Sequence, residues 1–369
     1  MPVGIARARG GSKWITRGLA LGFTTTMIVA ATLAFGSTKP SSVHLRVAPI
    51  AVIATPIAAF DRIDAEKSRF GRLTWRGGLV LTSPAQNFGG WSGLALDAGG
   101  EHFVAVSDAG AWMTGALTYE AGRLKGMQEV QLGPLQAVSG QTMARYRDRD
   151  AEGLTMLDGD PAKGRVLIGF ERNQRLGEFE VDAKGLTPAC NFFKPPPAAK
   201  RMDPNGGFEA ITVLRGGPHK GALVTISERF LDDAGDHTGW LWIGGVPQRF
   251  QIKNIGDFDI TDAAALPNGS VLLLERRFRW SEGVKVRLRL LAADELRPGA
   301  RAQGETLLDA TMSQEIDNME GLAVHTGPGS EIIITMISDD NFNAAIQRTL
   351  LLQFAFDGSG LASAAPSRP

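Results

Sequence analysis

Glu152-Gly153-Leu154-Thr155-Met156-Leu157, then Asp158-Gly159-Asp160, then Val166-Leu167-Ile168-Gly169-Phe170-Glu171: this stretch reads as a β-hairpin. Two six-residue arms flank a turn whose glycine supplies the positive φ that tight turns require. One acid opens the first arm and another closes the second. The same grammar recurs along the chain. First arms open at Ser92-Gly93-Leu94-Ala95, Glu152-Gly153-Leu154-Thr155, Glu209-Ala210-Ile211-Thr212, Asp262-Ala263-Ala264-Ala265 and Glu320-Gly321-Leu322-Ala323, at intervals of 60, 57, 53 and 58 residues. Second arms close at Ser107-Asp108, Phe170-Glu171-Arg172, Ser227-Glu228-Arg229, Leu274-Glu275-Arg276 and Ser338-Asp339-Asp340. A repeat of this length with several strands per unit is the pattern of a β-propeller blade.

The predicted fold is therefore all-β: a propeller with five directly readable four-stranded repeats between Trp91 and Phe356. Third strands fall at Trp112–Tyr119, Leu176–Val181, Trp240–Ile243, Val284–Leu291 and Arg348–Phe356, and fourth strands at segments such as Arg249–Lys253 and Glu305–Leu308. The last repeat lacks a fourth strand, and Leu73–Leu81 is the natural donor to close the ring. Whether Val43–Leu81 adds one strand or most of a sixth blade stays open at this point.

The residues that begin and end such a hairpin lie at the same open end. Glu152 should thus neighbour Glu171, Glu209 should neighbour Glu228, and Asp262 should neighbour Glu275. Five hairpins arranged radially bring up to nine carboxylates to one channel mouth. Like charges that close repel, more strongly where water is excluded. A hard divalent cation with oxygen ligands is the simplest remedy, and Ca²⁺ suits carboxylates, carbonyls and water better than Zn²⁺ does. Arg172, Arg229 and Arg276, each following an acid, are the second remedy. The alternative is that each pair is a salt bridge stapling one blade to the next.

Charge balance, with 39 basic and 39 acidic residues, and the lack of a basic stripe interleaved with aromatics argue against nucleic acid as a partner. At the N-terminus, Arg7, Arg9, Lys13 and Arg17 precede an uncharged stretch, 18–38, that contains the run Met27–Phe35. That is the grammar of an export signal, with a possible cleavage site at Ala34-Phe35-Gly36 and an uncleaved membrane anchor at 18–38 as the alternative. The expected organisation is an export signal or anchor over 1–38, a linker and N-terminal strand region over 39–70, the propeller over 71–357 and a disordered tail over 358–369. A periplasmic or secreted monomer is expected, touching membrane only through the first segment. Cys190 stands alone, so no disulfide can form within the chain.

Other chemistries lack local support. No G-x-S-x-G elbow, P-loop or dinucleotide fingerprint occurs, and His44, His102, His219, His237 and His325 show no zinc-ligand spacing. Arg145-Tyr146-Arg147-Asp148-Arg149-Asp150 is either a solvated charged loop or a lid over the mouth whose arginines grip an anion. The tryptophans Trp91, Trp112, Trp240, Trp242 and Trp280 read as blade core, with Trp91 a candidate substrate platform.

Asp150-Ala151-Glu152-Gly153-Leu154, Phe170-Glu171-Arg172-Asn173, Gly207-Phe208-Glu209-Ala210-Ile211, Leu274-Glu275-Arg276-Arg277-Phe278, Asp317-Asn318-Met319-Glu320-Gly321-Leu322 and Ser338-Asp339-Asp340-Asn341-Phe342-Asn343 resemble, in order, the bacterial phytase-like family of exported proteins with esterase-like activity. The resemblance covers Gly71–Phe356. It implies a propeller with a Ca²⁺ centre that hydrolyses a phosphoester or carboxylic ester, taking a small anionic or ester substrate. On that reading Glu152, Glu209, Asp262 and Glu320 hold the metal, and Glu171, Glu228, Glu275 and Asp339 act as catalytic bases or supporting groups. Arg172, Arg229 and Arg276 then bind substrate. A non-catalytic, Ca²⁺-stabilised binding propeller is the competing expectation.

Overall fold

The computed structural model describes residues 39–359. The export segment at 1–38 and all of the expected tail beyond Ser359 lie outside the described residues. Among the described residues no helix is long and apolar enough to cross a membrane.

Five antiparallel sheets form a five-bladed propeller. The innermost strands are Trp91–Leu96, Ala151–Asp160, Phe208–Val213, Asp259–Ala265 and Met319–Thr326, for blades 1 to 5. They touch in cyclic order, and the fifth returns to the first. The predicted hairpins and third strands are all present. Blade 3, for example, runs Phe208–Val213, Leu223–Leu231, His237–Ile243 and Val246–Ile252.

Blades pack face against face, so their middle strands are covered on both sides and read as continuous apolar runs rather than alternating ones. Val271–Leu274 is buried at every position. Each wedge between blades holds a core. Phe60, Trp75, Leu274, Leu288, Leu322 and Phe354 lie between blades 4 and 5, and Val106, Trp112, Ile168 and Phe179 lie between blades 1 and 2. Trp91 and Trp112 are fully buried and Trp240 nearly so. Trp91 packs edge-on against Phe88, so it offers no substrate platform. Trp280 is 80% exposed and belongs to no core.

The closing strand is Leu73–Thr82. It pairs antiparallel with Thr349–Phe356, with Leu79 opposite Leu351 and Leu73 opposite Phe356. Ile53–Ile57 adds outside it, and Ala48–Pro49 adds to the outer strand of blade 1. Residues 48–57 thus cover sheet edges that would otherwise be unpaired, and among the described residues no sixth blade forms.

One irregularity positions the site. Each inner strand carries a β-bulge at its start, where one extra residue is set against the partner strand. The bulged residues are Ser92, Glu152, Glu209, Thr261 and Glu320, read from the register jumps at Trp91/Gly93, Ile168/Phe170, Phe208/Ala210, Ile260/Asp262 and Met319/Gly321. The next residue must be small in most blades. A Cβ on Gly153 would lie 2.2 Å from the Glu209 carbonyl oxygen, because neighbouring inner strands approach closely there.

Candidate functional site

The bulges aim Ser92, Glu152, Glu209 and Glu320 at one end of the channel. A second circle comes from the residue that closes each hairpin. Asp108, Glu171, Glu228 and Asp339 are equivalent, since each backbone N–H donates to the carbonyl two residues before the bulge: Gly90, Asp150, Gly207 and Asn318, at 2.9–3.1 Å. In blade 4 the equivalent residue is Arg276, paired with Asp259. Blade 4 therefore contributes Thr261 and Arg276 where other blades contribute acids.

This corrects two expected positions by one residue. Asp262 follows the bulge instead of occupying it. Its carboxylate is fully buried and accepts from the backbone N–H of Leu322, in the next blade, at 2.6 Å. Glu275 lies opposite Ile260 and forms a buried ion pair with Arg289, whose guanidinium also donates to the Lys253 and Gln303 carbonyls. Neither lines the mouth, and the expected Asp262–Glu275 pair does not form there.

The mouth itself is a polar cavity of about 210 Å³ lined by Lys39, Ser92, Asp108, Glu152, Glu171, Arg172, Asn205, Glu209, Glu228, Arg229, Arg276, Asn318, Glu320, Asp339 and Asn341. No histidine lines it. Two carboxylate triads lie at it, each with ligand oxygens inside 4.8 Å of one another: Asp108, Asp150 and Glu152, of which Asp150 stands behind the lining, and Glu171, Glu209 and Glu228. The expected metal ligands Glu152 and Glu209 are thus divided between two clusters, while Glu320 faces Arg276, with Nε 3.5 Å from Oε1.

Cations answer part of this charge. Arg172 bonds Asp150, and it does so from a left-handed backbone, φ 56°, the kind of strain that gathers at functional sites. Arg229 bridges Glu228 at 3.2 Å and Asp259 of blade 4 at 2.5 Å. Arg276 donates to Asn318 Oδ1 at 2.7 Å and to Glu228 Oε1 at 3.3 Å. Arg229 and Arg276 thus staple neighbouring blades together, as the alternative reading required, whereas the Arg172–Asp150 pair lies within blade 2. Glu152 and Glu209 differ: neither accepts a hydrogen bond or forms an ion pair among the described residues, although Glu209 is only 7% exposed. Buried Oδ1 atoms of Asp108 and Asp150 also lack a donor. Buried, unanswered carboxylate oxygens in a polar cleft are the donor set that a hard divalent cation takes. The residues fit such an ion.

Burial, and then neighbouring acids, push these carboxyls upward. Glu171 rises to about 7 through desolvation with Asp150 and Glu228 nearby. Glu228 also rises to about 7 by desolvation, opposed by Arg276. Asp108 rises to about 6 by desolvation, opposed by Lys39. Glu152, Glu209 and Asp339 are held well above the usual carboxylate range, again first by burial. Burial disfavours the Arg276 charge, but Glu320 and Glu228 outweigh it and hold the guanidinium protonated.

The segment 145–150 reaches the edge of the site through Asp150, beside Asp108 and Glu152, and Tyr146, beneath Lys39 and Arg172, and none of its arginines lines the cavity. Arg172 stacks 4.6 Å over the Tyr146 ring, and Arg149 turns into the backbone to donate to Ala144 and Pro40 carbonyls. Asp340, beside Asp339, caps the backbone N–H groups of Gly90 and Phe342. Sequence reasoning counted Asp108 among the acids of the mouth without giving it a role, and missed Asp150 and Lys39 as members of the site. Aligning each unit on the apolar residue before the bulge (Trp91, Ala151, Phe208, Ile260, Met319) would have set the register.

A sequence model of the family described as "Phytase-like: Esterase-like activity of phytase" matches residues 86–342. No curated protein matches. Similar solved structures include two variants of an exo-β-1,3-galactanase from Phanerochaete chrysosporium with β-1,3-galactotriose. They are each 10% identical, with TM-scores of 0.41 and 0.40 over 73% and 84% of this chain. Raptor from Chaetomium thermophilum is 11% identical, with a TM-score of 0.38 over 93% of this chain. The match spans 61% and 65% of the galactanase chains and 33% of Raptor, less than two thirds of each.

Proposed function

We propose, from the premise that this chain belongs to the phytase-like family, that its acidic channel mouth is a divalent-cation-dependent centre for hydrolysing a phosphoester or carboxylic ester. The observation that carries this reading is the buried, unanswered carboxylate of Glu209 between Glu171 and Glu228. Glu171, Glu209 and Glu228 would hold the ion, with Ca²⁺ favoured by the all-oxygen donor set. When bound, the ion supplies positive charge that neutralises the acids and polarises an ester oxygen.

The chain's own groups supply the rest. Arg172 and Arg229 have side chains 33% and 50% exposed and stand at the rim, where their guanidinium groups can orient an anionic substrate. Arg276, expected beside them, has its donors committed to Asn318 and Glu228, so it anchors the floor and does not grip substrate. Asp339, buried and hydrogen-bonded by the Asn341 N–H, is placed to take a proton from the attacking water. Export through 1–38, a small anionic or ester substrate and a monomeric state belong to the same proposal.

The test is turnover of p-nitrophenyl phosphate and p-nitrophenyl acetate with and without EDTA. EDTA-sensitive turnover that disappears in Glu209→Gln and Asp339→Asn supports the reading. A rise in Tm with Ca²⁺ but no turnover of either ester would leave a binding propeller with a stabilising ion.

A further inference from the structure

The two carboxylate triads are not equally available. At Asp108, Asp150 and Glu152 a cation is already in place: the Lys39 ammonium bonds Asp108 from a side chain only 27% exposed. Its position is set by the chain behind it. Arg149 Nη2 donates to the Pro40 carbonyl at 3.3 Å, Ser42 is fully buried, and Leu45 packs against the core of blade 1. The ammonium also lies 5.4 Å over the ring of Tyr146. With Arg172 on Asp150, two cations face three acids there.

The other triad is different. Arg229 and Arg276 both touch Glu228, whereas Glu171 and Glu209 have no ion pair among the described residues. A divalent ion entering the mouth gains most where charge is unanswered and displaces nothing. Both triads have the geometry for an ion and two cations beside them, but Lys39 and Arg172 answer two acids of the first, whereas both arginines of the second sit on Glu228 and leave two acids bare.

We propose that Lys39 is a built-in cation of the mouth, seated where a second divalent ion would otherwise go, so that the protein takes one divalent ion, at Glu171, Glu209 and Glu228. This rests on the reading above that the mouth binds such an ion. An anionic ester entering the cavity then meets the ion on one side and a lysine ammonium on the other. A two-cation clamp is built from one metal and one side chain.

Calorimetric titration of the full-length chain with Ca²⁺ tests this without reference to turnover. The expected stoichiometry is one for the wild type, one for Lys39→Arg and two for Lys39→Met, with Glu209→Gln losing the wild-type site. Two ions in the wild type, or one in Lys39→Met, would overturn the role of Lys39 while leaving the parent reading intact. No ion in any of the proteins would overturn both. Should Lys39→Met fail to fold, amine labelling of the wild type read by mass spectrometry replaces it. Lys39 should stay protected at saturating Ca²⁺, and its exposure on Ca²⁺ addition would mean that the ion evicts it, which sinks the proposal.

Discussion

Arg276 Nη2 lies 3.3 Å from Glu228 Oε1, across the boundary between blades 4 and 3, at the one hairpin position in five that is basic and not acidic. Its Nε lies 3.5 Å from Glu320 in blade 5. One guanidinium therefore ties three consecutive blades at the mouth. Removing it leaves the buried Glu320 without its ion-pair partner and Glu228 with Arg229 alone. Arg276→Met should lose about 3–5 kcal/mol in urea denaturation with EDTA present. Ca²⁺ should narrow that gap, because the same oxygens become available to the ion; an equal loss with and without Ca²⁺ would contradict the arrangement.

Glu209→Gln should act in the opposite direction on the ion-free protein. The amide removes a buried charge that nothing answers, so stability at about pH 8 should rise by roughly 0.5–2 kcal/mol while the Ca²⁺-induced shift in Tm vanishes. Differential scanning calorimetry with and without Ca²⁺ reads both effects. A destabilised variant that still responds to Ca²⁺ would count against Glu209 as a ligand.

The raised carboxyls set a pH dependence. Glu171 and Glu228 move from an ordinary 4.5 to about 7 in the folded chain, by burial first and then, for Glu171, by Asp150 and Glu228. Between those values the folded state holds protons that the unfolded state has released. Their contribution is therefore fully present below about pH 4.5 and is lost as pH climbs through about 7. In EDTA the Tm should fall across that window. Ca²⁺ should flatten the profile at its upper end only, releasing protons as it binds. A Tm that rises with pH in EDTA would refute this.

Glu275→Gln and Asp262→Asn check the register. Both positions are acidic and buried, yet neither lines the mouth. Glu275→Gln should cost about 3–5 kcal/mol by stranding Arg289, and both variants should bind Ca²⁺ with wild-type stoichiometry. Loss of Ca²⁺ binding in either, with the fold retained, would put that residue back at the mouth.

Gly153→Ala probes the close approach of blades 2 and 3. The new Cβ would meet the Glu209 carbonyl at 2.2 Å, so the strands must part at the bulge that aims Glu209. The expected cost is about 1–3 kcal/mol with weakened Ca²⁺ binding, compared by thermal melts against Gly126→Ala, where the nearest atom is 3.2 Å away.

The blade count, the hairpins and the closing strand were legible because a strand buried on both faces leaves an unbroken apolar run, and Val271–Leu274 or Ile333–Ile337 cannot easily be read otherwise. Seven acids of the mouth, Asp108, Glu152, Glu171, Glu209, Glu228, Glu320 and Asp339, were legible for the same reason: they punctuate those runs. Blade 4 misled because it holds acids one residue to each side of the positions that matter. Asp262 and Glu275 extend the pattern by eye, whereas the bulge assigns Thr261 and Arg276. A bulge changes which side chain points inward without changing composition, so period counting cannot register it. Lys39 was illegible for another reason. It precedes every repeat, and only tertiary folding brings it to Asp108.

The pairing of Leu73–Thr82 with Thr349–Phe356 has a consequence for how the molecule is assembled. The earliest blade strand waits, without its partner, until the latest one has been made, and Glu320 and Asp339 belong to that same final sheet. Loop-closure entropy over so long an intervening segment makes this contact a slow, late step of folding. Until the latch engages, blades 1 to 4 present an open arc whose acids do not yet surround a shared centre. The three proposed ligands all come from blades 2 and 3 and can gather before that step, whereas Asp339 joins them only when the ring closes.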